Sequence, residues 1–211
     1  MDRTFVLVSG APGSGKSTVA GQLARALQMP LIAKDIIKES IWDALSPPAG
    51  DLGWSRRIGG VAMELLWALA DRSPGAIMEA NFRPHSDYER SKLAGLAGHF
   101  VEVYCLCPPD IAQKRYAERA TRPEHHPAHV TPTLTAALLD EFNQPMNVGH
   151  LIAVDTTLPI AMDRLVDEIL DRLRQTAYEP GGQVPEAELP PPSSGPRRDD
   201  TVDGGSPVTL Y

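Results

Sequence analysis

The run GAPGSGKS at positions 10–17 constrains the fold of this chain more than any other feature. It follows the apolar run TFVLVS and precedes a segment whose apolar residues have helical spacing. Its glycines let backbone N–H groups converge on an anion, and the start of a helix favours negative charge. The pattern G-x-x-x-x-G-K-[ST] therefore predicts a strand–loop–helix unit that binds phosphate. The predicted contacts are Gly10, Ala11, Pro12, Gly13, Ser14, Gly15, Lys16, Ser17 and Thr18.

Two side chains of this loop have predicted chemistry of their own. Lys16 reaches the β- and γ-phosphates of a nucleotide, where its charge makes it a candidate catalytic residue. The hydroxyl of Ser17 is a candidate ligand of Mg²⁺. The loop therefore predicts ATP and Mg²⁺ as cofactors, with the preference for ATP over GTP left open.

Apolar runs alternate with segments of helical periodicity along most of the chain. The predicted strands are residues 4–9, 31–33, 76–80, 100–106 and 151–154. The predicted helices are residues 16–27, 35–45, 55–71, 86–96, 110–120, 133–142 and 160–175. This alternation predicts an α/β domain, with a parallel sheet and helices on both faces. Ligands of such sheets bind at the carboxyl ends of the strands, so residues just after each strand matter most.

Length, charge and composition exclude several classes of protein. A chain of 211 residues is expected to form one domain with a sizeable core. Its net charge of -7 argues against sequence-independent binding of nucleic acid. It has no apolar run long enough to span a bilayer, and the N-terminal apolar run is too short for a signal peptide. With only two cysteines, the chain is expected to be cytoplasmic.

The composition changes near the end of the chain. Residues 176–211 contain 7 prolines and 5 glycines, and 6 acidic against 2 basic residues. Few of them offer apolar groups for a core, which predicts a disordered acidic tail. The expected folded domain is therefore residues 1–175.

Several segments resemble the P-loop small-molecule kinases, above all the zeta-toxin-like ATP-binding proteins and chloramphenicol phosphotransferase. The resemblance covers residues 4–174 and rests on SGAPGSGKST, Asp35, IMEANF, KRYAERATRPEHHPAH and VDTT. It implies a five-stranded parallel sheet of nucleoside-kinase topology, with an arginine-bearing lid over the phosphates. It also implies transfer of the γ-phosphoryl group of ATP.

Two acidic residues follow predicted strands at the ligand edge. In the resembled kinases an aspartate at the position of Asp35 approaches the acceptor hydroxyl, whose proton a carboxylate can accept. The alternative is that Asp35 caps the helix that it opens. Glu79 follows an apolar run, and an acid there often helps to hold Mg²⁺ or positions a nucleophile.

Three arginines fall in or next to the helix that follows the fourth strand. Arg115 and Arg119 are four residues apart and share a helix face, and Arg122 follows them. Arginine makes bidentate contacts to phosphate and offsets charge that develops during transfer. The lid of the resembled family implies a catalytic role for Arg119 and nucleotide contacts for the other two. The alternative is an ordinary solvated helix face.

The last candidates lie in two loops. In the related kinases the loop that holds Thr156 and Thr157 borders the adenine. Residues 121–132 are rich in proline and histidine and are expected to form a polar loop or flap. Its histidines, His125, His126 and His129, lack nearby cysteines, so a zinc site is not favoured.

These observations favour a phosphotransferase that acts on a hydroxyl group of a small molecule. The acceptor is left open among antibiotics, nucleotide sugars, nucleosides and other polyols. One alternative is a regulatory or toxin-like module that binds ATP and acts through a protein partner. The other is a polynucleotide end kinase, which the acidic net charge disfavours. The oligomeric state is left open.

Overall fold

The chain forms a three-layer α/β domain in a computed structural model that describes residues 3–130 and 133–178. Its strands are β1 (Thr4–Ser9), β2 (Leu31–Ala33), β3 (Gly75–Glu79), β4 (His99–Leu106) and β5 (His150–Asp155). Its helices are α1 (Lys16–Leu27), α2 (Lys34–Leu45), α3 (Leu52–Arg72), α4 (Asp87–Gly95), α5 (Pro109–Ala120), α6 (Ala136–Asp140) and α7 (Met162–Tyr178). No helix in the described ranges is both long and apolar enough to cross a bilayer.

All five strands pair in parallel, in the order β2-β3-β1-β4-β5. Strand β1 lies at the centre, with β3 on one side and β4 on the other. The chain therefore leaves β1 toward one edge of the sheet and later crosses to the opposite edge. This topology creates a switch point at the carboxyl end of β1, where open α/β sheets bind their ligands.

Helices cover both faces of the sheet, as predicted. On one face, Leu66 and Trp67 of α3 pack with Phe5 and Met78 of the sheet. The opposite face buries two clusters of helical side chains against the same strands. They are Val19, Ala20 and Leu23 of α1 and Leu165 and Ile169 of α7. Alternate residues of β1 are buried on opposite faces, which is why its sequence is apolar throughout.

Helix ends are where the structure departs from the sequence prediction. Helix α3 begins three residues earlier than predicted, because the Asp51 side chain caps it by accepting from the Trp54 N–H at 3.0 Å. The helix predicted at residues 133–142 is only the short α6, which Thr135 caps. Helix α7 continues to Tyr178, three residues past the expected end of the domain. The disordered tail predicted for residues 176–211 otherwise lies outside the described residues.

A buried carboxylate joins the centre of the sheet to a distant loop. Glu102 of β4 is fully buried and accepts hydrogen bonds from the Ser9 hydroxyl at 2.5 Å and the Met146 N–H at 2.8 Å. Burial raises the pKa of Glu102, and these hydrogen bonds act in the opposite direction. Ser9 is the last residue of β1, so this contact supports the strand that leads into the glycine-rich loop.

Candidate active site

The loop between β1 and α1 has a positive-φ backbone, which glycine adopts without strain, at Gly10, Gly13 and Gly15. Gly13 and Gly15 have φ values of 81° and 87°. A Cβ on Gly13 would also lie 2.2 Å from the carbonyl oxygen of Ala112 in α5. Position 13 is not specified by the sequence pattern, but the structure requires glycine there for two reasons, backbone conformation and close packing against α5.

Helix α1 begins without a side-chain cap. Its N-cap is Gly15, no side chain bonds to the cap, and its first turn contains no acidic residue. The Ser14 hydroxyl is buried in the same loop without a hydrogen-bond partner among the described residues. Unpaired donors at a helix N-terminus attract an anion, so the loop fits the phosphate groups that its sequence predicts.

Lys16 is buried at the start of α1. Its side chain is 5% exposed, and its ammonium donates to the Ala11 carbonyl at 2.8 Å. Burial lowers the pKa of Lys16, whereas the Glu79 and Asp35 carboxylates oppose that shift. A desolvated ammonium inside the loop acts strongly on any negative charge that binds there.

Glu79 and Ser17 supply side-chain oxygens near Lys16 that could bind a metal ion. Glu79 is 4% exposed at the end of β3, and Ser17 at the start of α1 lines the same cleft. Burial raises the pKa of Glu79, which Lys16 and Ser17 partly offset. Within residues 3–130 and 133–178, no three His, Cys, Asp or Glu side chains are placed to hold a metal. Mg²⁺ does not need such a set, because it uses one or two protein oxygens together with substrate phosphates.

A cleft of about 780 Å³ opens at this edge of the sheet. The cleft is lined by residues of the phosphate loop, the strand ends, α2, α5 and the segment that follows α5. They are Ser17, Leu31, Ala33, Asp35, Ile36, Glu39, Glu79, Arg119, Arg122, Pro123, Glu124, His125, His126 and His129. The cleft therefore brings together Asp35, Glu79, Ser17 and two of the three predicted arginines.

Asp35 lies in the first turn of α2, whereas the N-cap of that helix is Ala33. Burial acts to raise the pKa of Asp35, but nearby cations outweigh it and hold the pKa below its ordinary value. These cations are Lys34, His129, Lys16 and Arg119. The carboxylate is therefore ionised at neutral pH and available as a hydrogen-bond acceptor.

The predicted arginines separate into two environments. Arg119 and Arg122 line the cleft, and the Arg119 guanidinium lies 5.4 Å from the centre of the Tyr116 ring. Arg115 instead donates to the Thr156 carbonyl at 3.0 Å and lies near the Cys107 sulfur. Arg115 therefore connects α5 to the loop after β5.

The loop after β5 lies beside the phosphate loop. A Cβ built on Gly15 would be 3.6 Å from the Thr156 Cβ. The Thr157 N–H and hydroxyl both donate to Asp155 Oδ1, at 2.8 and 2.6 Å. Both threonines are thus held near the phosphate loop, and their contact with a nucleotide base stays a prediction.

The lid segment, residues 121–130, is the described part of the predicted flap, and it packs on α2 and α3. His129 Nε2 lies 2.7 Å from Glu39 Oε1, and His126 Nε2 lies 3.1 Å from Asp43 Oδ1. Ala128 is fully buried in an apolar cluster with α2 and α3 side chains. The predicted flap is therefore anchored by two imidazole–carboxylate contacts and one buried residue.

Sequence reasoning missed Glu39 and its contact with His129. Glu39 stands four residues after Asp35, a spacing that places both on one face of a helix. That spacing was an available signal, because Asp35 was already a candidate. The contact with His129 was not available, since 90 residues separate the two.

Comparison with known proteins places the chain in a family. A family model described as an AAA domain matches residues 5–145, which include the phosphate loop, Asp35, Glu79 and the lid segment. The chain belongs to this AAA domain family. No curated protein matches the chain.

Several solved structures of other proteins have the same fold as this member of the AAA domain family. A candidate kinase from Chloroflexus aurantiacus J-10-fl is 29% identical with a TM-score of 0.70, covering 82% of this chain and 100% of that one. Shikimate kinase from Acinetobacter baumannii is 18% identical with a TM-score of 0.53, covering 84% and 96%. Shikimate kinase from Bacteroides thetaiotaomicron is 16% identical with a TM-score of 0.51, covering 85% and 100%. The predicted fold of P-loop kinases is thus confirmed.

Proposed function

We propose that this chain is a phosphotransferase that moves the γ-phosphoryl group of ATP to a hydroxyl group of a small molecule. One observation carries the proposal: the ionised Asp35 shares one cleft with Arg119, Ser17 and Glu79, beside the buried Lys16. Likeness to the candidate kinase from Chloroflexus aurantiacus supports it. The finer resemblance to zeta-toxin-like proteins and chloramphenicol phosphotransferase is part of the same proposal.

The phosphate side of the cleft would bind and polarise the nucleotide. Backbone N–H groups at the start of α1 and the Lys16 ammonium would contact phosphate oxygens, while Arg119 and Arg122 approach from the lid side. Such preorganised charges stabilise the transition state of phosphoryl transfer. Ser17 and Glu79 would hold Mg²⁺, which neutralises phosphate charge when bound.

Asp35 would act on the acceptor. A carboxylate that stays ionised at neutral pH can accept a hydrogen bond from a substrate hydroxyl and orient its oxygen for in-line attack. As the bond from the acceptor oxygen to the γ-phosphorus forms, the bond from that phosphorus to the β–γ bridging oxygen would break, ADP would leave, and the hydroxyl proton would pass to Asp35. The lid segment would exclude water, so that the acceptor and not water receives the phosphoryl group.

A screen of hydroxyl compounds with Mg²⁺ and ATP tests the proposal. Release of ADP and a product 80 Da heavier, about the mass that one transferred phosphoryl group adds, should both depend on an added acceptor and on Asp35. ADP release that no small acceptor stimulates would favour the alternative of a regulatory or toxin-like ATPase. Transfer to a polynucleotide 5′-hydroxyl instead of to small molecules would favour the end-kinase alternative.

A further inference from the structure

The cleft has an excess of acidic over arginine side chains. Carboxylates outnumber guanidinium groups among the described residues that line it. They are Asp35, Glu39, Glu79 and Glu124 against Arg119 and Arg122. The phosphates of a bound nucleotide would engage the guanidinium groups together with Lys16.

Glu39 lines the cleft on α2, where the lid segment contacts it. Asp35 shares the cleft with Glu39 and His129, and it is close enough to both Lys16 and His129 for each of them to affect its pKa. His129 in turn holds Glu39 Oε1 at 2.7 Å. The contact with His129 occupies Oε1 of Glu39. Among the described residues it is the contact that Glu39 makes, so Oε2 is left for a ligand in the cleft.

The negative charge of Glu39 is not cancelled by its partner. Burial lowers the pKa of His129, so the imidazole acts as a cation on Asp35 only at acidic pH; at neutral pH it is neutral and donates its Nε2–H to the carboxylate. Lys38, on the same helix, donates its ammonium to Ser55 Oγ at 2.9 Å and does not line the cleft. Glu39 therefore presents a net negative charge where an acceptor would lie.

We infer that the acceptor is a neutral or amine-bearing hydroxyl compound, and that Glu39 selects against acceptors that carry a carboxylate or a phosphate. This inference rests on the proposed function and names the substrate class of that same site. An acidic acceptor would place its charge against Asp35 and Glu39, with the nearby guanidinium groups already bound to nucleotide. A hydroxyl or an ammonium group instead gains a charge-assisted hydrogen bond to Glu39 Oε2.

Matched polyols of different charge test the inference. Two sets of probes suffice, each with a neutral, an amine-bearing and an acidic member in that order. The first set is inositol, 2-deoxystreptamine and quinate, and the second is glucose, glucosamine and glucuronate. For each, kcat/KM of phosphoryl transfer from ATP would be measured with the wild-type chain and with Glu39→Gln. The neutral or amine-bearing member should be the best acceptor of its set. Glu39→Gln keeps an acceptor for His129, and should raise the acidic-to-neutral ratio of kcat/KM about five- to tenfold.

A surface glutamate provides the matched control. Glu168 on α7 is exposed and paired with Arg172, so Glu168→Gln removes the same charge outside the cleft and should not change the ratio. An acidic member that is the best acceptor, or a ratio that Glu39→Gln does not change, would overturn the inference and leave the kinase proposal standing. No transfer to any member of either set or of the wider screen would instead overturn the proposed function, and this inference with it.

Discussion

The two halves of the cleft are built in different ways. The phosphate half comes from eight consecutive residues, and its donors are mostly backbone N–H groups held by glycines 13 and 15. The acceptor half is made of side chains from α2 and the lid segment, such as Asp35, Glu39 and His129. Glu39 and His129, which meet there, are 90 residues apart.

This difference separates binding chemistry from specificity. Backbone donors are the same whatever the side chains are, so the phosphate half suits the group that all nucleotides share. Side chains on separate elements can be exchanged without disturbing the loop, so the acceptor half is where selectivity lies. Substitutions in the two halves should therefore differ in what they change.

The largest effect is expected in the phosphate half, from Lys16→Ala. Loss of the buried ammonium should lower kcat about 10³-fold, because it removes a charge aimed at the transferring group. Kinetics with Mg²⁺ and ATP would measure this, with circular dichroism to check the fold. The control is Lys114→Ala, an exposed lysine of α5. Full activity of Lys16→Ala would contradict the assignment of the phosphate loop.

Gly13→Ala should destabilise the fold and weaken nucleotide binding together. The left-handed backbone alone costs about 1–3 kcal/mol for alanine, and the Cβ would also collide with the Ala112 carbonyl. Gly21→Ala, in α1, provides the control, because nothing lies within 4 Å of its Cβ and it should stabilise by about 0.5–1 kcal/mol. Denaturant unfolding of both variants would measure the change in the free energy of unfolding that each substitution causes. Equal stability of the two would show that α5 does not restrict the loop.

Asp35→Asn tests the boundary between the two halves. The amide keeps the shape but cannot accept the acceptor's proton, so kcat should fall about 10²-fold while nucleotide affinity is kept. Titration with a nonhydrolysable ATP analogue would measure affinity separately from turnover. A variant that binds nucleotide poorly yet transfers normally at saturation would assign Asp35 to the phosphate half instead.

The smallest effect is expected from pH in the acceptor half. The pKa of His129 is lowered in the folded chain, so its contribution to stability is present above pH 6.5 and is lost as the pH falls. Between pH 7.5 and 5.5 the free energy of unfolding should decrease by about 1 kcal/mol or less relative to His129→Gln. Urea unfolding of both proteins at each pH measures the difference. An identical pH dependence in the two would mean that His129 does not couple to lid docking.

Predictions from the sequence succeeded where the pattern was local. The bounds of β1, α1 and β2 agree with the structure because hydrophobic period, glycines and a proline mark them within a few residues. The bounds of α3 and α6 were wrong because capping hydrogen bonds of Asp51 and Thr135 determined where those helices begin. Helical spacing could not indicate that Arg115 donates to the Thr156 carbonyl, and its predicted contact with the nucleotide stays a prediction.

The sequence by itself determined the class of fold and the phosphate loop, because both depend on interactions between residues close in the chain. Tertiary structure alone decided which side chains share the cleft. Neither the contact of Glu39 with His129 nor the electrostatic effect of Lys16 on Asp35 is encoded in any short pattern. Such contacts depend on how the strands are ordered in the sheet and on how the lid segment packs on α2 and α3.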